Sequence, residues 1–281
     1  HQFCFIKGGR SYADRVTTVS PTYAREIRRA PGAMGLEGLL QRRRSHLTGI
    51  LNGIDHALWN PATDRFLEHH YEAGSLEGKL QNRHALQEAL GLQVRDDCPL
   101  LGFVGRLTRQ KGLELMLPVL EQLLASPAQL VLQGTGEPEY ERNLQALAMR
   151  YPESVAVILA YNESLAHRVE AAADIFLMPS LFEPCGLNQL YSLRYGTLPV
   201  VRAVGGLADT VVDASPPNLE AGAATGFAFR EASAGTLLDT IRRATTLWYD
   251  RALWEGLQRT AMQQDFSWEK SAERYMALYG A

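Results

Sequence analysis

Two short stretches of this sequence gather residues able to act on a phosphate-bearing ligand. In "VGRLTRQKG", Val104 to Gly112, Arg106 closes an apolar run and Lys111 follows five residues later, just before a glycine. Two cations on one loop make a clamp for a diphosphate, because guanidinium and ammonium groups both give charge-assisted bonds to phosphate oxygens. A surface loop with ordinary charges is the alternative, and the position at a strand's carboxyl end between glycines is what favours the clamp. In "SLFEPCGLNQLYSLRYGTLPVV", Ser180 to Val201, Glu183, Pro184, Cys185 and Gly186 interrupt an apolar strand before a helical pattern resumes. A helix beginning near Gly186 would offer free N–H groups and partial positive charge to an anion. Glu183 is too close to such an anion to assist it. Its carboxylate suits the hydroxyls of a neutral group attached to the phosphate, such as a sugar, or else complements the helix dipole. Cys185 reads first as a small buried hydrophobe and only second as a nucleophile.

Two further motifs are weaker. "QGTGEPEY", Gln133 to Tyr140, has Gly134 and Gly136 but no third glycine, so it departs from the dinucleotide fingerprint, and no Walker pattern occurs. It reads as a tight turn with its backbone near a ligand. "VGGLADTV", Val204 to Val211, reads as a turn whose paired glycines could offer amides to a second group.

These residues need elements to position them. From Pro99 onward, short apolar runs such as "PLLGFVGR", "AQLVLQG", "SVAVILAY" and "DIFLMPS" alternate with helical patterns such as "GLELMLPVLEQLLA". Strands apolar on both faces and separated by helices imply a parallel sheet covered by helices, in an α/β fold. Ligands of such sheets bind at the carboxyl ends of the strands, and Arg106, Gly134, Tyr161, Glu183 and Gly205 all follow one. The first part, to about Asp64, differs. "DRVTTVS" and "LTGILNGID" read as strands and "PTYAREIRRA" as a helix capped by Ser20. Two strands cannot bury a full core, so residues 1–64 read as the end of a separate α/β domain. Trp59 to Asp64 is the linker, residues 65–264 are the second domain, and 265–281 a closing helix.

Composition sets the outer bounds. The 281 residues are 46% hydrophobic and 21% charged, with a formal net charge of -3. That describes a globular chain without the basic field a nucleic-acid partner would need. "QRRRSH", Gln41 to His46, reads as a solvated helix end. Cys4, Cys98 and Cys185 match neither a disulfide framework nor a zinc spacing, which fits a reducing compartment. No run approaches a membrane span, and "NES" at Asn162 reads as a chance acceptor match. The chain opens at His1 and reads as a piece of a longer protein.

Taken together, "TVSPTYAREI", "GILNGID", "GRLTRQKG", "FEPCGLNQLYSLRYGTLPVVRAVGGLADTV" and "DFSW" resemble the glycogen and starch synthases, above all the bacterial ones using ADP-glucose. The resemblance implies a GT-B glycosyltransferase, in which two Rossmann-like domains face each other across a cleft. The first domain is then the remnant of the acceptor side, the second holds the nucleotide sugar, and the closing helix crosses back. By this likeness Arg106 and Lys111 hold the diphosphate and Glu183 lies against the glucose. Cys185, Gly186, Leu187 and Asn188 line the phosphate and sugar site, Tyr161 packs on the adenine, and Asn52 faces the cleft from the other domain. Gly134 joins the binding set, and His167 has structural support only. The expected ligands are ADP-glucose and an α-1,4-glucan, without nucleic acid, membrane, metal or other cofactor, in a bacterial cytoplasm rather than a plastid. Oligomeric state is not legible.

Two departures matter. Other retaining GT-B families carry a second glutamate eight positions after the first, where this sequence has Tyr191, as the glycogen synthase pattern does. The family's N-terminal lysine and glycine-rich motif is nowhere in this sequence, nor are the acceptor-facing histidine and aspartate of that domain. The chain alone is therefore expected to bind nucleotide weakly and turn over poorly. Two other readings stay open: another GT-B transferase, such as a sucrose-type synthase or a phosphorylase, and a non-catalytic nucleotide- or glucan-binding module.

Overall fold

The computed structural model describes residues 4–30 and 32–280. Its strands form two separate parallel sheets. The first unit runs through α1 (Phe5–Tyr12), β1 (Val16–Thr18), α2 (Pro21–Glu26), α3 (Glu37–Arg42) and β2 (Leu47–Gly49). β1 and β2 pair with Val16 opposite Leu47. The Ser20 hydroxyl accepts the Tyr23 N–H and Pro21 occupies the first turn, so α2 starts where its cap and proline dictate. It ends at Glu26, short of the Ala30 its pattern suggested, and Pro31 disfavours helical backbone just upstream. α1 is an addition to the sequence reading; it buries none of its residues, so no core pattern announces it.

The second unit contains α4 (Glu77–Ala89), β3 (Leu100–Val104), a single tight turn at Arg109–Lys111, α5 (Leu113–Leu124), β4 (Gln129–Gln133), α6 (Pro138–Arg150), β5 (Val155–Ile158) and α7 (Glu163–Ala172). It continues with β6 (Ile175–Met178), α8 (Asn188–Arg194), β7 (Leu198–Arg202), α9 (Gly205–Thr210), α10 (Pro216–Glu220), β8 (Phe227–Phe229), α11 (Ala234–Trp248), α12 (Arg251–Met262) and α13 (Trp268–Tyr279). The strand order is β5-β4-β3-β6-β7-β8, with every neighbouring pair parallel. Central strands are buried on both faces, with Ile175, Phe176 and Leu177 all at 0% exposure, which is why they lack alternation. α5 and α11 pack on one side of the sheet, bringing Leu113, Met116, Leu237 and Ile241 into the same core as Leu132 and Val200. On the other side α7 supplies Val169 against Val131 and Phe176. The strand order reverses between β3 and β6, so the crevice of this sheet opens above their carboxyl ends.

Among the described residues the two units meet at several places. α13 returns to the first unit, where the Ile54 N–H donates to the Phe266 carbonyl at 2.8 Å and the Ser271 hydroxyl to the Leu51 carbonyl at 2.6 Å. Gly53 sits under this crossing; a Cβ there would lie 2.4 Å from the Trp268 nitrogen, so only glycine fits. The linker is fastened to the second unit by Trp59, stacked between His167 and Tyr191 with centroids 3.7 and 3.6 Å away. Asp64 then takes the His167 Nδ1 at 2.7 Å and the Tyr195 hydroxyl at 2.5 Å. The contacts of α2 with α9 and of Asn52 with Cys185 belong to the site.

Candidate functional site

The loops after β3 and β6 are pressed together at the crevice. Gly112, at φ +78, allows this, since a Cβ there would lie 2.0 Å from the Pro179 carbonyl oxygen. The Leu181 N–H donates to the Gln110 carbonyl at 2.8 Å, which ties the two loops in register. Lys111 Nζ thereby stands 2.6 Å from Glu183 Oε2, and the Ser180 hydroxyl donates to the same oxygen at 3.0 Å. The sequence reading gave these two side chains separate tasks; the structure joins them as an ion pair. With 22% and 9% of their side-chain surfaces exposed, both are partly withdrawn from water. The pairing occupies one N–H of Lys111 and leaves its remaining N–H groups for another acceptor. Arg106 is exposed, two residues beyond β3, and donates to Gln110 Oε1 at 3.1 Å. Gln110 Nε2 in turn reaches the Phe182 carbonyl at 3.3 Å, so one glutamine links Arg106 to the Glu183 loop.

Beyond Glu183 the chain differs in detail from the expectation. α8 starts at Asn188 with Leu187 at its cap, two residues after Gly186. Gly186 adopts φ +70, outside helical backbone, and Gln189 Nε2 holds the Cys185 and Gly186 carbonyls at 3.0 Å each. The N–H groups of Gly186 and Leu187 meet no acceptor among the described residues, which leaves them uncommitted next to the Glu183 loop. The Asn188 side chain is turned inward, donating to the Val104 carbonyl at 2.6 Å and sealing the end of β3. Cys185 is buried; burial pushes its thiol up, and a bond from the Asn52 N–H only partly offsets this. It is thus a protonated, space-filling thiol at neutral pH. Asn52 reaches the second unit through this backbone contact.

The paired glycines of "VGGLADTV" carry the α2–α9 contact. A Cβ on Gly205 would lie 1.9 Å from the Glu183 carbonyl oxygen, and one on Gly206 1.9 Å from that of Cys185. The Gly206 N–H donates to the Glu183 carbonyl at 3.1 Å. The second group that the sequence suggested for these amides is Glu26 of α2, whose Oε1 accepts the Gly205 N–H at 3.0 Å. Asp209 on α9 answers by accepting the Thr22 N–H at 2.9 Å, the Thr22 hydroxyl at 2.5 Å and the Ser20 hydroxyl. Sequence reasoning missed Glu26, Asp209, Trp59 and Asp64, because each acts on a partner more than a hundred residues away and no local spacing reveals it.

Gly134 lies beside this cluster rather than free above it. A Cβ there would be 1.8 Å from the Gly105 carbonyl oxygen, so its close approach is to the loop carrying Arg106. Tyr161 stands apart, 86% exposed beyond the edge strand β5. Tyr191 does not face the Lys111–Glu183 pair but stacks on Trp59; burial pushes its hydroxyl up to about 12. His167, at 0% exposure, holds the linker. Among the described residues no group of three or more histidine, cysteine or carboxylate side chains is placed to hold a metal, and no helix is long and apolar enough to cross a membrane.

A profile of the family described as "Glycosyl transferases group 1" matches residues 91–255, which carry the whole crevice. The chain belongs to the group 1 glycosyl transferases. Residues 1–42 match "Starch synthase catalytic domain". Within this family the chain is 51% identical to glycogen synthase 1 of Methylococcus capsulatus over 99% of its length, and 53% identical to glycogen synthase of Thioalkalivibrio sulfidiphilus over 98%. It spans 56% and 57% of those two relatives. Among solved structures, the catalytic domain of starch synthase IV from Arabidopsis thaliana, bound to ADP and acarbose, superposes with a TM-score of 0.92 at 39% identity, covering 98% of this chain and 57% of that one. Sucrose-phosphate synthase of Thermosynechococcus elongatus, with a TM-score of 0.66 at 24% identity, shares the fold. The architecture is that of a GT-B transferase, with a six-stranded parallel sheet as a Rossmann-like layer and β1–β2 as a separate two-stranded sheet.

Proposed function

We propose that the protein of which this chain forms a part is a retaining glucosyltransferase, moving glucose from ADP-glucose to the non-reducing end of an α-1,4-glucan. The observation that carries the reading is the Lys111–Glu183 pair, 2.6 Å apart across the two loops of the β3–β6 crevice. Breaking a glucosyl–phosphate bond places negative charge on the departing diphosphate and positive character on the sugar. In this reading Lys111, Arg106 and the free N–H groups of Gly186 and Leu187 meet the diphosphate, stabilising charge where it develops. Glu183 lies against the glucose, its carboxylate oriented by Lys111 and Ser180. Cys185 and Asn188 are supports that fix the loop, Asn52 closes the cleft from the acceptor side, and Tyr161 offers its exposed ring to the adenine. A front-face route, with the leaving phosphate taking the acceptor's proton, retains the anomeric configuration. The charge stabilisation rests on side chains and amides, so a metal has no assigned task.

The test is transfer of radiolabelled glucose from ADP-glucose to glycogen, with the chain co-expressed beside the N-terminal portion of the Methylococcus capsulatus relative. Transfer is expected to appear only in the pair, to survive EDTA, and to fall about a hundredfold or more in Arg106→Ala or Lys111→Ala. Undiminished transfer in both variants, or complete loss with EDTA, contradicts the reading.

A further inference from the structure

The contact between α2 and α9 is made by two carboxylates exchanged between the units. The first N–H groups of a helix have no partner within it and need an acceptor from elsewhere. At the start of α2 that acceptor is Asp209 of the second unit, which takes the Thr22 N–H at 2.9 Å together with the Thr22 and Ser20 hydroxyls. At the start of α9 it is Glu26 of the first unit, which takes the Gly205 N–H at 3.0 Å. Each unit thus completes a helix end of the other. Ser20 shows how firmly the contact is determined. It is buried at φ +77, a region that residues other than glycine rarely occupy. Two bonds hold it there, its N–H to the Ile50 carbonyl at 3.2 Å and its hydroxyl to Asp209 at 2.5 Å.

The same turn of α9 bears on the loop that carries Glu183. The Gly206 N–H donates to the Glu183 carbonyl at 3.1 Å, so the bond to Glu26 and the bond to the crevice loop leave from adjacent peptide groups. Arg106, Lys111 and the Gly186 and Leu187 amides all stand on the second unit, and their grip on a nucleotide does not pass through α2. An acceptor reaching the crevice from the first unit does depend on how that unit is held. We infer that Asp209 and Glu26 are positioning residues, which fix the first unit against the Glu183 loop and so govern the rate of transfer rather than the binding of nucleotide. The inference rests on the transfer reaction proposed above. Because both carboxylates close one contact, loss of either releases the other, and their effects do not add.

Transfer by the co-expressed pair, set beside ADP titration of the chain, tests this. Asp209→Ala and Glu26→Ala should each lower kcat about tenfold or more through misplacement of the acceptor, with the Kd for ADP within about twofold of the parent. Asp209→Asn, which keeps an acceptor oxygen for Ser20 and Thr22, should recover part of the rate. The double alanine variant should fall within about twofold of the slower single one. Amide hydrogen exchange on the chain alone gives a readout independent of activity. Glu26→Ala should speed exchange at Thr22, and Asp209→Ala at Gly205, each being the amide that the other carboxylate holds. The inference is overturned if ADP affinity and kcat fall together, if the two losses multiply in the double variant, or if the crosswise amides keep the parent's exchange. Absence of transfer in the parent pair would sink the reaction itself, whereas transfer with unchanged crosswise exchange sinks the positioning role alone.

Discussion

Lys111 and Glu183 illustrate how one contact serves both stability and chemistry. Glu183 is buried to 7% exposure, and its Oε2 accepts from Lys111 Nζ and the Ser180 hydroxyl. Removing the ammonium strands a carboxylate in a site with little water. Lys111→Met should therefore cost about 3 kcal/mol, the low end for a broken buried pair because Lys111 is not fully enclosed. Lys111→Met/Glu183→Gln should regain most of that loss, since the double change leaves no bare charge. Denaturant unfolding of the three proteins checks this, and equal destabilisation of single and double variants would show that the pair is only a geometric neighbour. The motif residues Arg106, Lys111 and Glu183 were legible in the sequence from their types and their places after strands. Their mutual contact was not, because it depends on β3 and β6 being neighbours despite the two strands that separate them in sequence.

At the scale of elements, the alternation of short apolar runs and helical patterns carried the second unit, since strands buried on both faces leave continuous runs that periodicity detects. What the pattern could not show was how the ends are trimmed. α8 waits until Asn188 because Gly186 is left-handed, and α1 and α10 bury none of their residues and so leave no core signal. The linker shows the same limit: "WNPATD" reads as a joint, yet Trp59 is clamped on both faces by His167 and Tyr191, which fastens it to the second unit. Trp59→Ala should cost about 3 kcal/mol through lost stacking and the cavity left between the two rings. Trp59→Phe should keep part of it. Thermal unfolding that is indifferent to Trp59→Ala would mean the linker is not fastened there.

For the whole molecule, pH acts through a buried polar cluster below the sheet's central strands. Lys79 donates to the Ala171 carbonyl at 2.9 Å and the Thr197 hydroxyl at 2.7 Å, while Glu170 accepts from Ser192 at 2.7 Å. Burial pushes Glu170 from its ordinary 4.5 to about 8, with the Ser192 bond and Lys79 only partly opposing it. A carboxyl raised in the folded chain binds a proton that the unfolded chain has released. Its contribution to stability is thus complete below 4.5 and lost as pH rises towards 8. Burial lowers Lys79 from 10.5 to about 7, which has the opposite slope, so stability recovers as pH rises from about 7 towards 10.5. Glu170→Gln, which still accepts from Ser192, should remove the decline between pH 4.5 and 8 and raise the melting temperature at pH 8 relative to the parent. A parent protein whose melting temperature stays flat across that window would contradict the assignment.

The proposed transfer depends on the β3–β6 crevice gripping a diphosphate. The most direct measurement is calorimetric titration of the chain with ADP, repeated on Arg106→Ala and Lys111→Ala. Saturable binding in the parent, weakened about tenfold or more in each variant by loss of a charge-assisted contact, is the predicted result. Binding of equal strength in all three proteins would place the nucleotide elsewhere.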